Sequence, residues 1–312
     1  MNRTIAILGG SGFVGRRLCS TLVAAGHSVR VLGRQSVLHG DLAVLPRVDY
    51  RRTNPYDTAS LGAAIAGCDA VVNLVGILNE KGRNGAGFEK AHVTLLENVI
   101  AAMRSEGVGR LLQMSALRAG EGGSYYLQSK GKAETLALES GLEVTLLRPS
   151  VIFGPGDGFV NRFAQLLKLF PVMPLACPTA RFAPVYVGDV AQAAVQVLTH
   201  DGFAGEALEL VGPDEYSLRE LVAFVAAQLG LKRLIIGLPD FMARMQAGLL
   251  DFVPGKPFST DNYKSLQIDS TSDKDDFSRL GIQPASMKSV VPTYVAGSPQ
   301  ANRLTAYRER ER

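Results

Sequence analysis

Cysteine and histidine are scarce in this chain and widely spaced. The three cysteines, Cys19, Cys68 and Cys177, make no CxxC or other metal-ligand spacing, and His27, His39, His92 and His200 are equally dispersed. No metal site is therefore expected, and an odd, sparse set of thiols suits a reducing compartment in which they act as small apolar fillers. Long apolar runs are also missing: no stretch approaches the ~18 uninterrupted apolar residues of a membrane span. The N-terminal "MNRTIAILGG" reaches a glycine turn after a few strand residues, too soon for a signal-peptide core. A cytoplasmic protein is expected. Charge of one sign is lacking too. The formal net charge is +4, and the last ten residues, with four Arg and two Glu, supply +2 of it. The body has no basic stripe of the kind a nucleic-acid binder shows, so no nucleic acid is expected as a partner. The tail, 297–312, reads as a solvated terminus.

What is present is an alternation of short apolar runs with helical patterns, which predicts a doubly wound α/β sheet of Rossmann type. "TIAILG" and "SVRVLGR" read as the first two strands, followed after a loop and "TASLGAAIAG" by "DAVVNLVG". The long helical stretch "GFEKAHVTLLENVIAAMRSEG", the strand "RLLQMSA", the helix "YYLQSKGKAETLALESG" and the strand "EVTLLRP" complete the first half. We expect a dinucleotide-binding domain over 1–155. A smaller, mostly helical substrate or partner region is expected over 156–296, some of whose elements rejoin the sheet. In that second half, Phe241, Met242, Met245, Leu249 and Phe252 share one side of an amphipathic helix. Such a helix either covers a core or presents a docking or membrane-surface face.

The turn after the first strand reads "GGSGFVGRR". Gly9, Gly12 and Gly15 form GxxGxxG between a strand and a helix, the context in which glycines let backbone amides approach a pyrophosphate at a helix N-terminus. The second strand ends in Arg34, where an NAD site usually has an acid for the ribose 2′-hydroxyl, and Arg16 follows the last glycine. Guanidinium groups suit a 2′-phosphate. NADP(H) is favoured over NAD(H), with two solvent-facing arginines as the alternative. Tyr126 and Lys130, four apart, lie on one helix face. There an ammonium favours the ionised phenol and so brings the tyrosine toward a working acid–base range.

These motifs, in this order, resemble the short-chain dehydrogenase/reductase superfamily. The glycine spacing and "LRPSVIFGPGD" are similar to its extended and atypical, epimerase/dehydratase-like branches. "VPGKPFSTDNYKSLQIDS" and "LGIQPASMKSVVPTYV" resemble bacterial relatives of the dehydrogenase-like accessory subunit of respiratory complex I. The resemblance covers residues 3–296. It implies that Gly9, Gly12, Phe13, Val14 and Gly15 line the pyrophosphate, that Arg34 meets the 2′-phosphate and that Asn54 stands near the adenine. Leu74, Val75 and Gly76 would pass beneath the nicotinamide-side ribose, which Lys130 bonds, while Tyr126 faces the reacting carbon. Pro149, Ser150 and Val151 would border the nicotinamide amide, with Ser115 also on the cofactor.

Two departures stand out. Ala116 and Leu117 occupy the positions where family enzymes carry a working Ser or Thr, and His92 stands where relatives often have Asn. Two functions follow. One is a nucleotide-holding accessory or assembly protein linked to complex I or quinone metabolism, peripheral at the inner face of the membrane. The other is an NADPH-dependent reductase, dehydrogenase or epimerase-type enzyme using Tyr126 and Lys130 on a carbonyl, sugar-nucleotide or quinone-like substrate.

Overall fold

The computed structural model describes residues 2–34, 40–254 and 256–295; His39 and the 297–312 tail lie outside them. The first half contains β1 (Thr4–Leu8), α1 (Phe13–Ala24), β2 (Ser28–Gly33), β3 (Val48–Arg52), α2 (Thr58–Ile65) and β4 (Ala70–Asn73). It continues with α3 (Ala86–Glu89), α4 (Leu95–Glu106), β5 (Arg110–Met114), α5 (Tyr125–Leu138) and β6 (Glu143–Pro149). Then come β7 (Ile152–Phe153), α6 (Val160–Leu169), β8 (Val172–Leu175), β9 (Arg181–Phe182), β10 (Val185–Tyr186) and α7 (Val187–Thr199). The last large elements are β11 (Ala207–Leu210), β12 (Tyr216–Ser217), α8 (Leu218–Gln228), β13 (Leu234–Gly237), α9 (Asp240–Leu250) and α10 (Thr260–Ser265).

Seven strands form one parallel sheet in the order β11-β6-β5-β4-β1-β2-β3, the Rossmann-like architecture expected from the strand–helix alternation. The inner strands are buried on both faces, which is why they read as unbroken apolar runs. Side chains alternate strictly between two cores. Ile5, Ile7, Val29, Val31, Val72 and Leu112 pack with α1 and α7, whereas Ala6, Leu8, Val71, Leu111, Val144 and Leu146 pack with α2 and α4. A third core around Phe153, Leu167, Met173, Leu175, Leu221 and Val222 lies among the elements that follow β6.

Three features differ from the sequence expectation. β3, "VDYRR", was not anticipated. It is an edge strand whose charged residues face water, so it lacks the apolar run that marks its neighbours. The long helix expected over 87–107 is interrupted by a π-helical turn, Lys90–Thr94, between α3 and α4. Finally, α9 packs by its small residues, Ala243 and Ala247. Phe241, Met245, Leu249 and Phe252 are exposed, so its apolar side does not cover a core.

Candidate functional site

In an open parallel sheet the strand carboxyl ends make the ligand crevice, and β1, β4, β5 and β6 deliver their final residues there. After β1 the chain must turn sharply into α1. Gly9 does this at φ +79°, in the left-handed region that favours glycine, with Leu74 close behind it. A Cβ at Gly15 would come within 2.3 Å of Gly9 O and 2.6 Å of Gly10 backbone, so only glycine lets α1 sit this tightly on the turn. Gly12 caps α1 with no side-chain hydrogen bond, and the first helical turn holds no acid. The leading amides of Phe13, Val14 and Gly15 thus keep the positive end of the helix dipole open toward an anion.

At the end of β4, Asn73 and Gln113 of the neighbouring strand form a buried amide pair at 2.9 Å. Asn73 Oδ1 accepts from Val75 N–H at 3.1 Å, and Gln113 Nε2 donates to Met114 O at 3.2 Å. This pair sets the path of Leu74, Val75 and Gly76. Gly76 stands beside the reactive groups: a Cβ there would meet Lys130 Nζ at 3.4 Å and His92 Nε2 at 3.6 Å. Lys130 is buried and donates to Met114 O at 3.1 Å, and its surroundings lower its pKa to about 8, chiefly through desolvation. Ser115, next along, is 4% exposed, and its hydroxyl has no partner among the described residues. A buried polar atom without a partner is costly, and a bound ligand oxygen would relieve it.

Tyr126 is half-buried, edge-on to His92 with ring centroids 5.7 Å apart and to Phe88 at 6.1 Å. Among the described residues its hydroxyl makes no hydrogen bond. Burial pushes its pKa up to about 12, opposite to the lowering that the Tyr–Lys spacing suggests. The cause is desolvation of the phenolate by burial, which disfavours the charged form. His92 is not free either. Nε2 accepts from Ile77 N–H at 3.2 Å, and Nδ1 lies 2.8 Å from Ser129 Oγ, which donates to Tyr126 O at 2.9 Å. Accepting at Nε2 fixes the proton on Nδ1. The imidazole is a neutral strut between the β4 loop and α5, with its pKa lowered to about 3 by desolvation and by Lys130. The π-helical turn positions it, as such bulges frequently do at functional sites.

Ala116 and Leu117 are buried and apolar, so neither supplies the hydroxyl of the missing Ser or Thr. Pro149, Ser150 and Val151 lie where β6 leaves the sheet, but the Ser150 hydroxyl is already committed. It donates to Ser270 O at 2.6 Å and accepts from Ala183 N–H at 3.3 Å. At the other end of the crevice Arg34 is exposed just beyond β2. Asn54 is exposed and its Oδ1 accepts from Tyr56 N–H at 3.2 Å, leaving its amide NH2 outward. Arg16 reaches instead toward the loop after β7, where a Cβ on Gly156 would be 3.6 Å from its guanidinium. Of the two arginines, Arg34 is therefore the one placed at the β2 end.

Several site residues were not legible in the sequence. Asp261, from α10, accepts from Tyr125 N–H at 2.6 Å and Tyr126 N–H at 3.1 Å, capping α5 together with Ser124 Oγ, which takes Leu127 N–H. Glu80 is buried and closes the β4 loop through Gly85 N–H and Gly87 N–H, both at 2.7 Å. Only the run of Asp, Asn and Tyr in "STDNYKS", a helix-start pattern, hinted at Asp261; nothing in sequence spacing ties it to a helix more than a hundred positions earlier.

An NAD(P)H-binding family model matches residues 9–168. The chain is 31% identical over 275 residues to NADH dehydrogenase [ubiquinone] 1 alpha subcomplex subunit 9, mitochondrial, of Arabidopsis thaliana, covering 84% of this chain and 67% of that protein. It is 29% identical over 237 residues to a ceramide reductase of Caulobacter vibrioides, covering 76% and 74% of the two chains. A dTDP-glucose 4,6-dehydratase from Streptomyces venezuelae, solved with NAD bound, superimposes with a TM-score of 0.74 at 20% identity over 93% of this chain and 95% of its own.

Proposed function

Since the chain belongs to the NAD(P)H-binding family, with the epimerase/dehydratase type of fold, we propose that it is a nucleotide-holding accessory or assembly protein with weak or no turnover. Its setting would be respiratory complex I or quinone metabolism, in the cytoplasm at the inner face of the membrane. One contrast carries the reading. The nucleotide side of the crevice keeps its glycine cradle, open α1 N-terminus, Lys130 and the unpartnered Ser115. The substrate side is stripped, because Ala116 and Leu117 offer no donor and both His92 nitrogens are engaged. Similarity to a protein named as a subunit of a ubiquinone-linked NADH dehydrogenase supports the same conclusion.

The residues present fit a nicotinamide dinucleotide, which when bound supplies or accepts hydride. Gly9, Gly12 and Gly15 admit its pyrophosphate to the amides of α1. Gly76 leaves room beside Lys130, whose ammonium is set to bond a ribose hydroxyl. A phenol held near pKa 12 keeps its proton at neutral pH, which suits donation to a developing alkoxide and is poor for abstraction. A missing oxyanion donor costs roughly 3–4 kcal/mol of transition-state stabilisation.

The test follows the absorbance of stoichiometric NADPH on the protein, with and without the small-molecule fraction of a host extract, against Tyr126→Phe. Nucleotide that stays bound and reduced in both proteins is the expected result. Oxidation that requires Tyr126 would establish the second reading, an NADPH-dependent reductase. The free Tyr126 hydroxyl and the similarity to a ceramide reductase favour that alternative.

Arg34 supports NADP(H) over NAD(H). We expect Arg34→Ala to weaken NADPH binding about tenfold and to leave NADH binding unchanged, both read by titration calorimetry. Equal affinities before and after would make Arg34 a solvent-facing arginine.

A further inference from the structure

Among the described residues, ten of the fourteen exposed large hydrophobic side chains fall within 169–172 and 234–253. Two features organise them. On α9, Phe241, Met245 and Leu249, continued by Phe252 just past its end, form one outward stripe, while Ala243 and Ala247 pack inward against Ala176 and Tyr263. β13 leads directly into α9, and with β8 it forms a two-stranded parallel ribbon whose paired residues Val172–Leu234 and Pro174–Ile236 are all exposed. A clustered apolar face of this kind marks an interaction surface.

The charge around it identifies the partner. Residues 158–177 and 229–259 hold six cations, Arg162, Lys168, Lys232, Arg233, Arg244 and Lys256, against two acids, a local surplus of +4. Asp240 pairs with Arg244 at 2.9 Å and accepts from the Tyr263 hydroxyl, so that acid and that cation offset each other, and Asp251 accepts from Thr260 Oγ at 2.6 Å. Arg162, Lys168 and Lys232, all exposed, leave the rim with outward positive charge. A second copy would set that rim against itself across a two-fold axis, whereas anionic headgroups complement it, and Phe and Leu side chains can enter the acyl boundary.

We propose that this face docks on the surface of a lipid bilayer carrying anionic headgroups. The surface adjoins the crevice. The segment after α9 sends Lys256 Nζ to Gly82 O at 2.6 Å and Asn262 Nδ2 to Leu78 O at 3.2 Å, and Arg83 stacks over Phe252 at 3.6 Å. Docking so places the β4 loop, and Tyr126 behind it, beside the bilayer. This docking deepens the membrane-face setting proposed above and rests on it, and it does not require a bound nucleotide.

The test is flotation of the full chain with NADPH, using phosphatidylcholine vesicles with or without phosphatidylglycerol. The protein should rise with the anionic vesicles, less with pure phosphatidylcholine, and less as salt is raised. Phe241→Ser combined with Phe252→Ser should lower partitioning about 100-fold, with melting temperature and NADPH affinity unchanged. Lys168→Glu with Lys232→Glu should erase the preference for anionic lipid. Flotation that survives the double serine variant overturns the proposal. So does a chain that ignores both vesicles. If that chain is a dimer the serine variant splits, the face belongs to a second copy; if it stays monomeric throughout, the face belongs to a protein partner.

Discussion

Gly15→Ala is expected to weaken NADPH binding by more than about 100-fold and to lower folding stability by about 1–3 kcal/mol. The added methyl would lie 2.3 Å from Gly9 O and 2.6 Å from Gly10 C and Cα, all main-chain atoms that cannot rotate away. Relief requires α1 to lift from the turn, and that moves the Phe13 and Val14 amides out of register with an incoming pyrophosphate. Gly248→Ala provides the contrast. It lies within α9 with nothing in reach of its Cβ, so it should gain about 0.5–1 kcal/mol and leave binding intact. Thermal unfolding with and without NADPH measures both effects. A Gly15→Ala protein that binds NADPH as the parent does would show that the dinucleotide does not use this turn.

Acid should expose the second large effect, at His92. Its folded-state pKa, about 3, lies below the ordinary 6.5, so between these values the unfolded chain binds more protons than the folded one. The stability is full above pH 6.5 and is lost progressively as pH falls toward 3. By about pH 5 the loss is about 2 kcal/mol, and the whole shift is worth roughly 5 kcal/mol as an upper bound. The largest cause is burial, which desolvates the imidazolium, followed by repulsion from Lys130; protonation at Nε2 would also remove the acceptor for Ile77 N–H. His92→Gln removes the titration but weakens the strut, costing about 1–3 kcal/mol at neutral pH. Urea unfolding of the two proteins across the acid range should show curves that differ at neutrality and converge toward pH 4–5. An unchanged difference at every pH would show that His92 does not couple folding to protonation.

Much of the sheet was readable because burial on both faces leaves an apolar run, as in "TIAIL" and "AVVN". β3 was not, because an edge strand needs apolar residues on one side at most and "VDYRR" spends its positions on charge. The glycine turn was readable because a Cβ is sterically intolerable at Gly15, a constraint that shows in residue type. The Tyr–Lys pair was also visible, yet the direction of its titration was not. That depends on how deeply neighbours enclose it, and Phe88, His92 and Met114 come from other elements. Asp261 and Glu80 escaped notice for a related reason: each caps backbone amides, which carry no residue identity. In α9 the helical period found the apolar stripe, but the period cannot say which side packs. Ala243 and Ala247 decide it, since small residues allow the close approach that places the large ones outside.

The outermost strand on one side of the sheet comes from late in the chain. β6 ends at Pro149, while β11, its outer neighbour, begins at Ala207. As the polypeptide leaves the ribosome, the first six strands can assemble while β6 still shows an unpaired backbone edge and a core-forming "VTLL" segment. That edge is covered only when Ala207–Leu210 emerges and Gly205 N–H reaches Val144 O. Synthesis therefore passes through an interval in which a sticky rim waits for its lid strand, the stage at which such chains pair wrongly with one another. A slow stretch of translation before Ala207 would lengthen that exposure without altering a single contact of the finished molecule.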